Sequence, residues 1–209
     1  MKAKDGDITV VGIIGGSSDL GNLAINDGYA AGVGAIALAG IGGSGATAYG
    51  VTGTVDIGHT GTTGIDLSGS VYNIDGVTTF TTASTANIID FESAITVKTA
   101  NDNINFVGGG IQAVTDGADI TINAGTAGVT LTDITVHSAE DIDIDAGSGV
   151  LSLDFAGLAI DGDIGDVKLT GGTINLNGGL RTTATAFDAS TTEIDINGAV
   201  VLEANTTIT

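Results

Sequence analysis

The chain has 209 residues, with 35 glycines, no proline and no cysteine. Its 25 acidic residues against five basic ones give a net charge of −20, which disfavours nucleic-acid and anionic-membrane partners because phosphates would be repelled. Disulfides are excluded, 42% hydrophobic residues argue against disorder, and the lack of proline suits strands paired on both sides.

Residues 1–28 hold two strand-like pieces, Ile8-Thr9-Val10 and Leu23-Ala24-Ile25, the second running into Asn26-Asp27-Gly28. Lys2 and Lys4 are followed at once by Asp5 and Asp7, where a signal peptide would need an apolar run. The expectation is therefore a leader already removed, or an excerpt from a longer repeat chain. The segment Gly28–Val55 carries no charge. Its glycines weaken both a membrane span and an amphipathic helix. Closely packed small-residue coils are expected, with a flat uncharged outer face for lateral association as the sharper reading.

Between residues 51 and 107 the strand signals are Val55-Asp56-Ile57, Ile65-Asp66-Leu67, Val77 to Phe80, Ile95-Thr96-Val97 and Ile104-Asn105-Phe106. Threonine is frequent there, as strands favour. From residue 108 the pattern sharpens into apolar, any, apolar, Asx, then Gly. It reads Ile120-Thr121-Ile122-Asn123-Ala124-Gly125 and, 22 residues on, Ile142-Asp143-Ile144-Asp145-Ala146-Gly147. Val129 and Leu131 return at the same offset as Leu151 and Leu153. The pattern recurs at Ile174–Gly178 and, 20 residues later, at Ile194–Gly198, with an inserted turn or an irregular coil expected near Asp161–Gly172.

Alternation places the isoleucines on one face and Thr121 or Asp143 on the other. The Asx residue opens a turn and the glycine supplies positive φ. One such coil cannot bury its apolar face alone, so coils must stack. The fold expected is all-β, a parallel β-solenoid with coils of about 20–22 residues, forming one rod over 1–209. Residues 1–107 would make less regular coils and 108–209 clearer ones. Ile120, Ile122, Ile142, Ile144, Leu151, Leu153, Ile174, Leu176, Ile194 and Ile196 should point inward.

The runs ITINAGTAGVTL, DIDIDAGSGVLSLD and TINLNGG, with TGIDLSGSVYNIDG from Thr63 to Gly76, resemble the β-solenoid repeats of large secreted bacterial surface proteins. These are the filamentous-haemagglutinin-type adhesins and related β-strand-repeat proteins. The resemblance implies a right-handed parallel β-helix, export to the cell surface, and a structural or adhesive role. Host or neighbouring-cell surface glycans or proteins are the partners it suggests.

Nine acids and no base lie from Asp133 to Asp166. Asp141, Asp143, Asp145, Asp161, Asp163 and Asp166 are the candidate calcium ligands, because hard cations collect oxygen donors. The spacing lacks the closing Glu of an EF-hand, so a solvated acidic face that keeps the rod soluble is the plainer reading. Paired carboxylates are plentiful enough to suggest polysaccharide cleavage. However, there is no tryptophan and only one arginine to hold a sugar, and a non-enzymatic role is expected. His59 and His137 stand alone in the sequence, and the Thr52/Thr54 and Thr60/Thr62 pairs do not recur at the single period an ice-binding column needs. Neither end shows a helical or proline cap. The expected assembly is homotypic, head to tail or lateral, in an extracellular filament without membrane insertion.

Overall fold

A computed structural model describes residue 1 and residues 6–26, 34–180 and 194–202, with the side chains of 137–139, 154–164 and 179–180 outside that description. The alternating segments become short strands. In chain order they are β1 (Ile8–Val10), β2 (Leu23–Ile25), β3 (Gly34–Leu38), β4 (Val55–Gly58), β5 (Thr62–Leu67) and β6 (Val71–Ile74). There follow β7 (Thr78–Thr81), β8 (Ile89–Phe91), β9 (Ile95–Thr99), β10 (Ile104–Val107), β11 (Ile111–Ala113) and β12 (Ile120–Asn123). β13 (Val129–Leu131), β14 (Ile134–Asp145), β15 (Val150–Leu180) and β16 (Ile194–Leu202) complete the set.

All strand pairs are parallel, and each strand pairs with the strand one turn before or after it. The chain is a parallel β-solenoid with three faces. The first face stacks β1, β3, β5, β8, β11 and the start of β14. The second stacks β2, β4, β7, β10, β13, two passes of β15 and the end of β16. The third stacks β6, β9, β12, the end of β14, part of β15 and the start of β16. The two longest strands, β14 and β15, bend around the corners and contribute to more than one face.

The core is a ladder of identical or similar side chains. Ile95, Ile120, Ile142 and Val167 lie one above another, as do Tyr72, Val97, Ile122, Ile144 and Leu169, and all are buried. Each fully buried aliphatic side chain contributes roughly 1.5–3 kcal/mol of transfer free energy. Phe80 and Phe106 stack at 5.2 Å with an interplanar angle of 13°, and Phe91 from the first face meets Phe106 at 6.3 Å. Eight of the ten residues expected inward are buried; Ile194 and Ile196, on β16, point the same way but are only partly covered because no described strand lies beyond them.

The 22-residue step holds where it is read most clearly, from Ile120 to Ile142 and from Val129 to Leu151. Elsewhere the step is longer, 28 from Ile8 to Ile36 and 32 from Leu23 to Val55. Corners absorb the difference. Ile41 and Val51 both bridge onto β6, at Tyr72 and Ile74, so the residues between them form an inserted loop. Asn73 ties that loop down by donating from Nδ2 to the carbonyls of Gly43 at 2.9 Å and Gly45 at 2.8 Å.

Two expectations are corrected. Ile174 and Ile194 do not stack on each other: Ile194 pairs with Val167 and Ile174 with Val200. The apolar-Asx-Gly pattern marks a strand entering a corner, and these two copies lie on different faces. The irregularity expected near Asp161–Gly172 takes the form of register shifts within β15, between Asp161 and Val167 against β14 and between Thr170 and Thr173 against β16, while Ile142 pairs with Val167 at a step of 25. The described part of the charge-free segment, 34–55, is also not one flat face, because it runs from β3 through the inserted loop into β4 on a different face. Among the described residues no helix is long and apolar enough to cross a membrane.

Candidate functional site: the outer faces and the open edge

Outward positions decide what this rod can touch. On the third face Asp141, Asp143 and Asp145 alternate along β14, so neighbouring carboxylates start about 6.6 Å apart along the strand and do not converge. Their hydrogen bonds run to neighbours. Asp119 Oδ1 accepts from the Asp141 N–H at 3.2 Å, and Asp141 Oδ1 accepts from the Asp166 N–H at 2.8 Å, each one turn on. Asp145 Oδ1 accepts from the Gly147 N–H at 2.7 Å, as Asn123 does for Gly125 one turn earlier at 2.8 Å. Asp143 Oδ2 pairs with Lys168 Nζ at 3.3 Å, directly above it in register. Of the six candidate calcium ligands, the structure thus places Asp141, Asp143, Asp145 and Asp166 along one face, where Asp141 braces the next turn, Asp145 closes its own corner and Asp143 pairs with Lys168. The side chains of Asp161 and Asp163 lie outside the described residues.

The same bracing recurs elsewhere: Asp7 to Ala35, Asn22 to Thr54 and Asn103 to Gly128, each side-chain oxygen accepting a backbone N–H from the next turn. A carboxylate that accepts backbone N–H bonds satisfies donors that a corner would otherwise leave unpaired.

Carboxylates do converge on the first face. Asp66 of β5 and Asp90 of β8 are register partners, and with Glu92 they bring one oxygen each to within 4.8 Å of one another. Partial burial first, then the charges of Asp66 and Glu92, raise the Asp90 carboxyl above its ordinary range. The sequence reading missed this group. Its trace is there as Ile65-Asp66-Leu67 and Ile89-Asp90-Phe91, two matching triplets in the region where the period is irregular. Asp133 is also raised, by burial alone.

His59 is a turn residue, its Nδ1 accepting the Gly61 N–H at 3.0 Å; the His137 side chain lies outside the described residues. A shallow groove runs beside the inserted loop, lined by Ile13, Ala39, Gly43, Ser44, Ser70 and Val71.

The second face differs in charge from the other two. Its central outward column reads Asp56, Thr79, Asn105, Thr130 and Ser152, and the flanking column carries Thr81 and Val107. In that central column Asp56 is the one formal charge; the side chain of Asp154, which follows Leu153 in β15, lies outside the described residues.

The ends of the rod also differ. β16 pairs with β15 on one side and with no described strand on the other. At the opposite end β2 is partly closed by Met1, whose amino group donates to the Ala24 carbonyl at 2.6 Å and whose carbonyl accepts the Asn26 N–H at 2.8 Å. The sequence reading saw no cap, and none was legible, since a single residue placed by tertiary contact leaves no pattern.

No protein-family model, no curated protein and no solved structure matches this chain. The fold class stands on the register of the strands themselves, and no family match accompanies the likeness to filamentous-haemagglutinin-type repeats.

Proposed function

We propose that this chain is a non-enzymatic extracellular rod, a structural and adhesive β-solenoid module that joins further copies or further repeats end to end. The observation that carries this reading is the β16 edge. It offers nine residues of strand whose other side meets no described partner, and its Val200, Val201 and Leu202 are 43%, 44% and 58% exposed. Unpaired strand edges with apolar side chains are templates for another strand. Stacking of this kind is head to tail and builds a filament unless the rotation closes a ring. Among the described residues Met1 partly covers β2, so a docking copy displaces it there or meets β1. The cell-surface setting rests on the resemblance of the repeats alone.

Sedimentation velocity over a wide concentration range tests the reading. The native chain should form growing species, and Val200→Lys, which puts a charge on the edge, should leave a monomer. A native chain that stays monomeric at high concentration overturns end-to-end assembly.

A second reading, binding of a hard divalent cation, is favoured by the convergence of Asp66, Asp90 and Glu92 rather than by the six acids of the clearer repeats. Calorimetric titration with calcium tests it: heat that disappears in Asp90→Asn supports the reading, and no heat at millimolar calcium removes it.

A further inference from the structure

We propose that two rods pair side by side through the second face, the occupant of that face being a second copy of this chain. The contact is separate from the open edge of the proposed filament and uses a different surface. With a net charge of −20, most approaches of one copy to another set acid against acid. The first face presents Asp66, Asp90 and Glu92, and the third presents Asp143 and Asp145 with Lys98 and Lys168. The second face presents hydroxyls, amides and valines instead: Thr79, Asn105, Thr130 and Ser152 in its central column, Val107 and Val150 beside it. Val107, the last residue of β10, and Val150, the first of β15, are 44% and 45% exposed and flank the central column.

The charge argument selects the partner. An uncharged strip on a strongly acidic rod suits either a neutral surface or its own copy, and only the copy meets it with the same flat sheet and the same spacing of strands. A two-fold arrangement then places the strip against itself, an isologous contact. Asp56, near one end of the column, is carried by the antiparallel arrangement to the far end of the partner's strip, so the two copies of Asp56 do not face each other.

Size decides the strength. From β2 to the end of β16 the face rises about 34 Å at ~4.8 Å per strand, and strands of three or four residues make it about 10–13 Å wide, a strip of roughly 350–450 Å² per copy. Standard stable interfaces cover about 800 Å² per partner. The expected pair is therefore weak and transient for a single chain, and gains strength where rods are longer, because each further turn adds to the same strip.

The native chain has no cysteine, so single cysteines report the contact cleanly. Thr130→Cys marks the second face, Gln112→Cys the first and Thr121→Cys the third. Each is made in the Val200→Lys background, which keeps end-to-end assembly from contributing. A short bis-maleimide suits the ~10 Å spacing of packed sheets. The expected result is a crosslinked dimer for Thr130→Cys at least tenfold above the other two, abolished when Asn105→Glu is added. Thr79→Cys repeats the test should Thr130→Cys fold poorly, with a β-type far-UV circular dichroism spectrum required of every variant. Equal crosslinking at all three positions, no dimer from either second-face cysteine, or a dimer indifferent to Asn105→Glu overturns the proposal. A failure of end-to-end assembly leaves this readout intact, so the two ideas fall separately.

Discussion

Replacing Phe106 with alanine tests whether the rod is held by its internal ladder. Phe106 is 1% exposed and lies between Phe80 at 5.2 Å and Phe91 at 6.3 Å, so it joins rings from two faces. Removing a buried phenylalanine side chain costs about 3–5 kcal/mol, part of which is the cavity left behind. An aromatic pair adds about 0.5–1.5 kcal/mol beyond the area buried. The site cannot collapse easily, because the register of β10 with β7 and β13 fixes the backbone on both sides. The upper half of that range is therefore expected. Val107, the next residue, points outward and is 44% exposed, so Val107→Ala should cost less than about 0.5 kcal/mol. Urea unfolding followed by far-UV circular dichroism measures both. Because solenoid stability is close to a sum over neighbouring turns, a gap in the middle should also broaden or split the transition. A Phe106→Ala loss below about 1 kcal/mol, or equal losses for the two variants, would refute the inward ladder.

Gly147 has φ of +50°, and a Cβ built there would lie 2.1 Å from the Gly125 carbonyl of the turn below, so Gly147→Ala should cost more than about 2 kcal/mol while Gly12→Ala, with open space around it, should be neutral in the same urea titration. Tyr72 is fully buried and donates to the Leu38 carbonyl at 2.6 Å. That carbonyl also accepts from Ser68, but the Tyr72 hydroxyl itself accepts the Gly69 N–H at 3.4 Å, so Tyr72→Phe takes that donor's partner away and should cost about 1–3 kcal/mol in thermal melts. Asp90 has its folded-state pKa raised from 3.8, by burial and then by Asp66 and Glu92. The folded chain thus holds that proton more tightly than the unfolded one, and this group's contribution to stability falls as pH rises from its ordinary value through its raised value. Melting curves from about pH 4 to 7 should show a shallower decline in Asp90→Asn than in the native chain, and an unchanged slope would remove Asp90 as its source.

Much of the ladder is legible in the residues. Ile120 over Ile142 and Val129 over Leu151 are register partners at the spacing their pattern gives. The short segments at Ile8–Val10 and Leu23–Ile25 are strands as well. The acids were harder. Asp141, Asp143 and Asp145 are close in sequence, yet alternation spreads them along a strand, and two of them brace backbone corners. Asp66 and Asp90, 24 residues apart in an irregular stretch, are neighbours in space. Sequence proximity in a solenoid runs along a strand, whereas chemical proximity runs across turns.

By itself the sequence determined the repeating unit: two-residue alternation sets which side chains go inward, and Asx-Gly pairs set where the chain turns. Those are local properties of the backbone, and they hold wherever the coil sits. Only the tertiary structure decided which copies stack, because corner loops such as the one between Ile41 and Val51 lengthen a turn without disturbing the strands. The accumulated offsets therefore set the vertical partners of Ile174 and Ile194, the meeting of Asp66 with Asp90, and the gathering of uncharged residues onto the second face. Each depends on summed loop lengths across many turns, a quantity that no single motif carries.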